Sequence, residues 1–342
     1  MRMKFFIAVL ALAWMLTGCE QASRDDEESE GDTSAQELEN FLGLVKSRLV
    51  FVEGGEFLMG DFGEEYGPDK LRYDLQKDSK PLHKVKLSGY SIGQFKVTNQ
   101  EYQFFLKQNG LQLREVEEYQ REDWHDINSN PANPAHVDWY EAEKYCNWLA
   151  KVTRLPFHLP TEAQWEYAAR SRGQFLPVAT DDGTYKTTVA AYSEHDGPRG
   201  INISNWVDRK RFALQMGWGT GSSTPLPVDR YPPNPLGLYG MSDNGFEWVK
   251  DWYDPNYYQN SPPLDPQGPE APVFIGPASN HKYAKVLRGV DYADPQWGAA
   301  VNVQRIYRAP DGTMGSLHPG KDAVVIYNKT ARCVVNSTEQ VR

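Results

Sequence analysis

The stretch from His158 to Arg170, HLPTEAQWEYAAR, constrains the fold more than any other part of this 342-residue chain. Thr161 is a good N-cap, Gln164 stands three residues later as the other half of a capping box, and Leu159-Pro160 forces an extended approach. A short helix therefore starts near Glu162. From that start Trp165, Ala168 and Ala169 share one face at three- and four-residue spacing, while Glu162 and Glu166 lie one turn apart on another. By pattern alone this is a capped amphipathic helix.

What surrounds it is not a helical bundle. Aromatic residues make up 13% of the chain, with 10 Trp and 19 Tyr beside 28 Gly and 23 Pro, a composition of loops pinned by large rings. With 40% hydrophobic residues a substantial core can form. The formal charge of -10 argues against a nucleic-acid partner.

Met1–Gly18 reads as a targeting segment that should be removed. Arg2 and Lys4 give a positive start, and the apolar run Phe5–Met15 is too short for a stable membrane span. Leu16-Thr17-Gly18-Cys19 resembles a bacterial lipobox, which predicts cleavage and acylation at Cys19; an ordinary signal peptide with a stray cysteine is the alternative. Acyl chains, palmitate among them, would hold the protein to a membrane. Glu20 rather than Asp after the cysteine resembles the pattern of outer-membrane sorting. Residues 20–36 are acidic and poor in aliphatic bulk, so they read as an extended tether. A helical stretch, Glu37–Val45, is expected to dock onto the domain that follows.

From Leu49 the alternation VFVEGGEFLMGD around Gly54-Gly55 predicts a hairpin. Short strands follow at His83–Ser88 and Tyr90–Val97, and Thr98 caps a helix through Glu101, Tyr102 and Phe105. Residues 111–135 read as a polar surface insertion. His136-Val137-Asp138-Trp139 leads into a helix, Tyr140–Lys151, with Ala142, Tyr145, Cys146 and Trp148 on its buried stripe. Residues 172–231 show little periodicity and are expected to be irregular loops held by Trp206 and Trp218. In Asn234–Trp252, glycines supply positive φ and aromatic pairs place bulk on both faces of a strand.

Taken in order, these segments resemble the formylglycine-generating enzyme (sulfatase-modifying factor) family. The carriers are F-x-M-G, the strand ending V-T-N, LPTEAQWEYAAR, NPLGLYGMSDNGFEW, the KVLRG strand at Lys285–Gly289, the arginine strand Arg305–Arg308, and Arg332-Cys333. The resemblance implies one α+β domain over about residues 49–337, distantly like C-type lectins, with a short tail at 338–342.

The family's chemistry needs copper(I) between two cysteines shortly after the R-G-G segment, because soft thiolates hold that ion. Here the matching positions fall at about Asp294 and Ala299, and no cysteine occurs between 147 and 332. No copper and no formylglycine-generating activity are therefore expected. Resemblance to the vertebrate enzyme pairs Cys146 with Cys333 in a disulfide; two separate buried thiols are the alternative. It also implies calcium, held by a carboxylate at Glu247 and carbonyls at Asp243 and Gly245, although Gly240 stands where a side-chain ligand is usual. The competing reading makes Glu247 an inward carboxylate satisfied by backbone amides. A second calcium site would use Asn205 and Trp206 with a position near Thr220. The seven histidines are scattered and read as surface or capping residues.

The expected function is that of a lipid-anchored, periplasm-facing binding protein in the cell envelope. Its groove would be lined by Asp291, Tyr292, Asp294, Trp297, Arg305 and Arg308, aromatic and arginine residues being common carriers of interface energy. Cysteine-less relatives point to protein partners: regulators of type VI secretion, or immunity against a secreted toxin. The alternative is a cysteine-independent periplasmic oxidoreductase like the pyoverdine-maturation branch, with Tyr292, Asp294, Arg305 or Glu247 as acid, base or metal ligand.

Overall fold

Each helix that the sequence caps begins at its cap in a computed structural model, which describes residues 34–188, 191–193, 197–290, 301–314, 323–324 and 328–341. The chain divides into two units, Met1–Ser47 and Arg48–Arg342. In the first, residues 34–47 form helix α1. Met1–Gly18, Cys19 and residues 20–33 of the tether lie outside the described residues.

The second unit mixes short strands with short helices. In chain order these are β1 (Leu49–Val52), β2 (Gly55–Met59), α2 (Gly63–Tyr66), β3 (His83–Leu87), β4 (Tyr90–Gly93), α3 (Asn99–Gln108), α4 (Arg121–Ser129), α5 (Trp139–Thr153), β5 (Phe157–His158) and α6 (Glu162–Ala169). They continue as β6 (Ala191–Ser193), β7 (Gly197–Arg199), α7 (Trp206–Met216), β8 (Phe246–Trp252), α8 (Tyr257–Asn260), β9 (Lys285–Arg288), β10 (Ile306–Arg308), β11 (Thr313–Met314), β12 (Ala323–Val324), β13 (Lys329–Thr330) and β14 (Val334–Val335). Two four-stranded sheets, ordered β1-β4-β14-β5 and β10-β9-β8-β13, are accompanied by two-stranded pairs. The fold is α+β, as expected.

Capping boxes fix three helix starts. Thr98 and Glu101 open α3, Asp138 and Glu141 open α5, and Thr161 and Gln164 open α6. In each box the cap oxygen accepts one otherwise orphaned N–H while the third helical side chain accepts the cap's own N–H.

The hairpin expected at Leu49–Asp61 does not form. β1 pairs with β4 and β2 pairs with β3, so Gly54-Gly55 carries the chain from one sheet to another. A Cβ on Gly54 would come within 2.4 Å of the Leu87 carbonyl oxygen, and one on Gly55 within 2.6 Å of the Tyr167 hydroxyl. The glycines serve close approach to neighbours, not a two-residue turn. The polar insertion is also more ordered than expected. α4 forms within it, and Trp124 and Ile127 pack with Leu113 and Val116 into a small separate core. The region 172–231 holds α7, capped by Asn205. Trp206, expected as a packing anchor, is 52% exposed at its first turn, while Trp218 packs edge-on against Phe212. His136, read as a surface or capping residue, is buried, and burial, with Lys329 beside it, pushes its pKa down to about 3.

All eight residues of α6 are buried. The amphipathic reading fails because its second face does not meet water: Glu162 and Glu166 meet arginines instead. Around the helix, Val52, Tyr90, Ile92, Trp165, Met241 and Val286 belong to the principal core. The disulfide Cys146–Cys333 joins α5 to the segment just before β14, across 187 residues of chain.

Candidate functional site

Two buried carboxylate clusters flank Trp165. The first is built on α6. Glu162 Oε1 accepts from Arg288 Nη1 at 2.7 Å and from Arg305 Nε at 2.7 Å, and its Oε2 accepts from Arg305 Nη2 at 3.0 Å. Glu166 accepts from Arg170 and Arg288, each at 2.8 Å. Arg305 also donates to the carbonyls of Asp78 and Asp254, and its guanidinium lies 4.6 Å from the Tyr258 ring centroid. Full burial makes charge pairing obligatory here, since one unpaired ion would cost several kcal/mol, on the order of 3 to 5.

This cluster is not saturated. Asp78 Oδ2 accepts from the Tyr253 hydroxyl at 2.5 Å, but Asp78 Oδ1 and Arg288 Nε are buried with no hydrogen-bond partner among the described residues. Burial pushes the Asp78 carboxyl up to about 6, against the opposing pull of Arg305 and the Tyr253 hydroxyl. Asp251, which accepts from the Glu162 amide at 2.9 Å, is raised by burial and by the Glu162 charge.

The second cluster centres on Glu247 in β8. Its Oε1 accepts from Lys96 Nζ at 2.6 Å and Arg332 Nη2 at 2.8 Å; its Oε2 accepts from Trp165 Nε1 at 2.9 Å and Arg332 Nε at 2.6 Å. Burial would raise Glu247, but Arg332 and then Lys96 overcome it and hold the carboxyl at about 2. Lys96 also donates to the Gly245 carbonyl at 2.8 Å.

These contacts decide how the expected calcium ligands stand. Glu247 is inward, as the competing reading had it, yet it is satisfied by side-chain cations and an indole rather than by backbone amides. The Asp243 carboxylate accepts from Ser204, Arg209 and the Asn244 amide. The Gly245 carbonyl faces an ammonium group. Hard Ca2+ wants six or more oxygens; with Glu247 and the Gly245 carbonyl already taken by cationic donors and no side chain at Gly240, the set does not fit it. At the second expected site Asn205 caps α7, accepting from the Asp208 amide and donating to the Thr187 carbonyl.

Of the expected groove residues, Asp291, Tyr292, Asp294 and Trp297 lie outside the described residues. Arg305 is not a groove residue: it is 1% exposed and bound to Glu162, because an arginine alternating into a core needs a buried acid. Arg308 is half-buried on β10, with Nη1 donating to the Tyr307 carbonyl at 2.8 Å.

Sequence reasoning missed Lys96, which lies beyond the end of β4 in the segment leading to α3; its acid, Glu247, is 151 residues away, so nothing local marked it. It also missed an apolar surface. Leu71 and Leu75 are 64% and 86% exposed, and the exposed rings of Tyr66 and Phe175 stack on one another. Phe62 beneath them packs on Val301 and Val303, which directly follow the segment outside the described residues. Nothing periodic marks such a patch in YGPDKLRYDL.

Comparison with known proteins agrees with the fold. Residues 39–317 match the profile of the sulfatase-modifying factor enzyme 1-like domain. The chain is 29% identical over 309 residues to the formylglycine-generating enzyme of Streptomyces coelicolor, covering 78% of this chain and 86% of that one. It is 31% identical over 261 residues to the serine/threonine-protein kinase pkn1 of Chlamydia pneumoniae, covering 72% of this chain but only 33% of the kinase. Among solved structures, PvdO from Pseudomonas aeruginosa matches with a TM-score of 0.55 at 24% identity, covering 84% of this chain and 94% of that one. At that identity the likeness is one of fold.

Proposed function

The chain belongs to the sulfatase-modifying factor enzyme 1-like family, and on that premise we propose that it is a non-catalytic member, a binding protein held to the cell envelope by a lipid at Cys19 and facing the periplasm. One observation carries the reading. The two cysteines of the domain are joined to each other, so neither is free to present a thiolate, and no other cysteine lies between them. Copper(I) chemistry on paired thiolates has no ligands to work with.

A protein partner is supported by the exposed apolar side chains of Leu71 and Leu75 and of Tyr66, which stacks on Phe175, in a stretch that also carries the ion pairs of Glu64 with Arg72 and Lys80. An apolar centre with a charged rim is the usual build of a protein-binding patch. The partner class is a secretion-system component or a secreted toxin of the same envelope. The oxidoreductase alternative loses two of its four proposed groups, since Arg305 and Glu247 are locked in ion pairs.

The test has two arms. The purified chain, given a C-x-P-x-R peptide with copper and oxygen, should produce no aldehyde; formylglycine in that peptide would overturn the proposal. Envelope capture should yield one dominant partner, lost in a Leu71→Asp/Leu75→Asp variant of unchanged melting temperature. Capture indifferent to those two changes would move the binding surface elsewhere.

A further inference from the structure

The mismatch between the expected calcium ligands and the cations that occupy them has a positive side. Lys96 and Gly240 fit one another. A Cβ built on Gly240 would lie 3.7 Å from Lys96 Cε and 3.8 Å from the Asp243 carbonyl oxygen, so the ammonium-bearing end of Lys96 fills the space that a longer residue at 240 would enter. From there Nζ reaches the Gly245 carbonyl at 2.8 Å and Glu247 Oε1 at 2.6 Å. The carbonyl of residue 245 and the carboxylate of residue 247 thus meet at one cationic centre, and that centre belongs to the chain.

We propose that the ε-ammonium of Lys96 is a built-in replacement for a metal ion in this oxygen-lined cradle, so that the domain needs no calcium at Glu247.

Charge supports it. Glu247 already faces Lys96 and Arg332, and Asp243 already faces Arg209, so two anions stand against three cations. A divalent ion added to that set would meet uncompensated like charge in a buried medium, where screening by water is weak. A lysine cannot be chelated away or diluted out, so the cradle keeps its cation whatever the calcium level outside. This inference stands apart from the binding function proposed above.

The experiment uses the full chain. Its melting temperature should be the same in excess chelator and in millimolar Ca2+, and Tb3+ should give no emission sensitised by Trp165, whose Nε1 donates to Glu247. The double variant Lys96→Ala/Gly240→Asn opens the space and restores a side-chain oxygen; Asn tolerates the positive φ of 62° at that position. Gly240 and Asp243 also line a small cleft with Thr180, Asn202 and Tyr231. The variant should gain Tb3+ emission displaced by Ca2+, and a melting temperature raised by roughly 4 to 5 °C when Ca2+ exceeds its dissociation constant a hundredfold. Two results would overturn the proposal. One is a wild-type chain stabilised by Ca2+ to that extent, with the effect lost in Glu247→Gln. The other is a double variant with native circular dichroism that responds to neither ion.

Discussion

The carboxylate clusters on either side of Trp165 are built from the same residue types and behave as opposites. Around Glu247 every carboxylate oxygen has two donors, and the cations that supply them are themselves tied to backbone carbonyls of Gly93, Tyr239 and Gly245. Around Glu162 and Glu166 the pairing is as dense, yet Asp78 Oδ1 and Arg288 Nε are left without partners among the described residues. A saturated network fixes backbone; one with spare donors and acceptors keeps capacity for something else. The first cluster ties β8 to the strand before α3 and to the segment before β14. The second ties α6 and β9 to Asn302 and Arg305.

Several measurements would break or sharpen that contrast. The largest effect should come from the disulfide, whose neighbour Arg332 anchors the Glu247 side. Replacing Cys146 and Cys333 by Ala should cost about 5 kcal/mol on the chain-entropy model for a 187-residue separation. Denaturant melts would read it, and a loss under ~1 kcal/mol would mean that the ion cluster alone holds that edge.

Next in size, Glu247→Gln should cost about 3 to 5 kcal/mol, because it leaves Lys96 and Arg332 buried without their acid. Glu162→Gln should cost less, about 2 to 3 kcal/mol by the same reasoning, since Arg288 keeps Glu166 and Arg305 keeps two carbonyls. Equal losses in matched denaturant melts would erase the distinction between the clusters.

The pH responses should run in opposite directions. Glu247 is lowered from 4.5 to about 2, so its contribution is present above pH 4.5 and is lost as pH falls toward 2. Asp78 is raised from 3.8 to about 6, so its contribution is present below pH 3.8 and is lost as pH rises through 6. Each should amount to at most about 3 kcal/mol. Asp78→Asn should flatten stability between pH 4 and 6, measured by denaturant midpoints across that window. A slope left unchanged would remove Asp78 from the account.

The smallest effect separates caps. Thr98→Ala and Thr161→Ala should each cost about 1 kcal/mol of stability. Thr161 should stand at the upper end, because α6 is buried throughout and cannot recover its lost bond from water.

How much of this was readable in advance follows the range of the forces. Helix starts were legible at Thr98 and Thr161, because a cap and its partner lie three residues apart. So was the buried stripe of α5, and the α+β class followed from the family that the ordered motifs resemble. Gly54-Gly55 misled because the same two glycines suit a tight turn and a close crossing, and only the neighbours Leu87 and Tyr167 distinguish them. Arg305 misled because an arginine after a functional motif reads as surface chemistry until the acid that neutralises it is known. Trp206 misled for a related reason: a large ring suggests packing, but the α7 cap turns it outward.

The sequence by itself determined where helices begin and that no cysteine occurs between 147 and 332, both being properties of near neighbours or of the residue inventory. It also carried the paired peculiarity of Lys96 and Gly240, without saying that they meet. Only the tertiary structure decided which cation sits on which carboxylate, because Lys96 and Glu247 are 151 residues apart and Glu162 and Arg305 are 143 apart. Ion pairing at such separation is set by how sheets and loops bring charges together in a dry interior, and burial then makes each choice costly to undo.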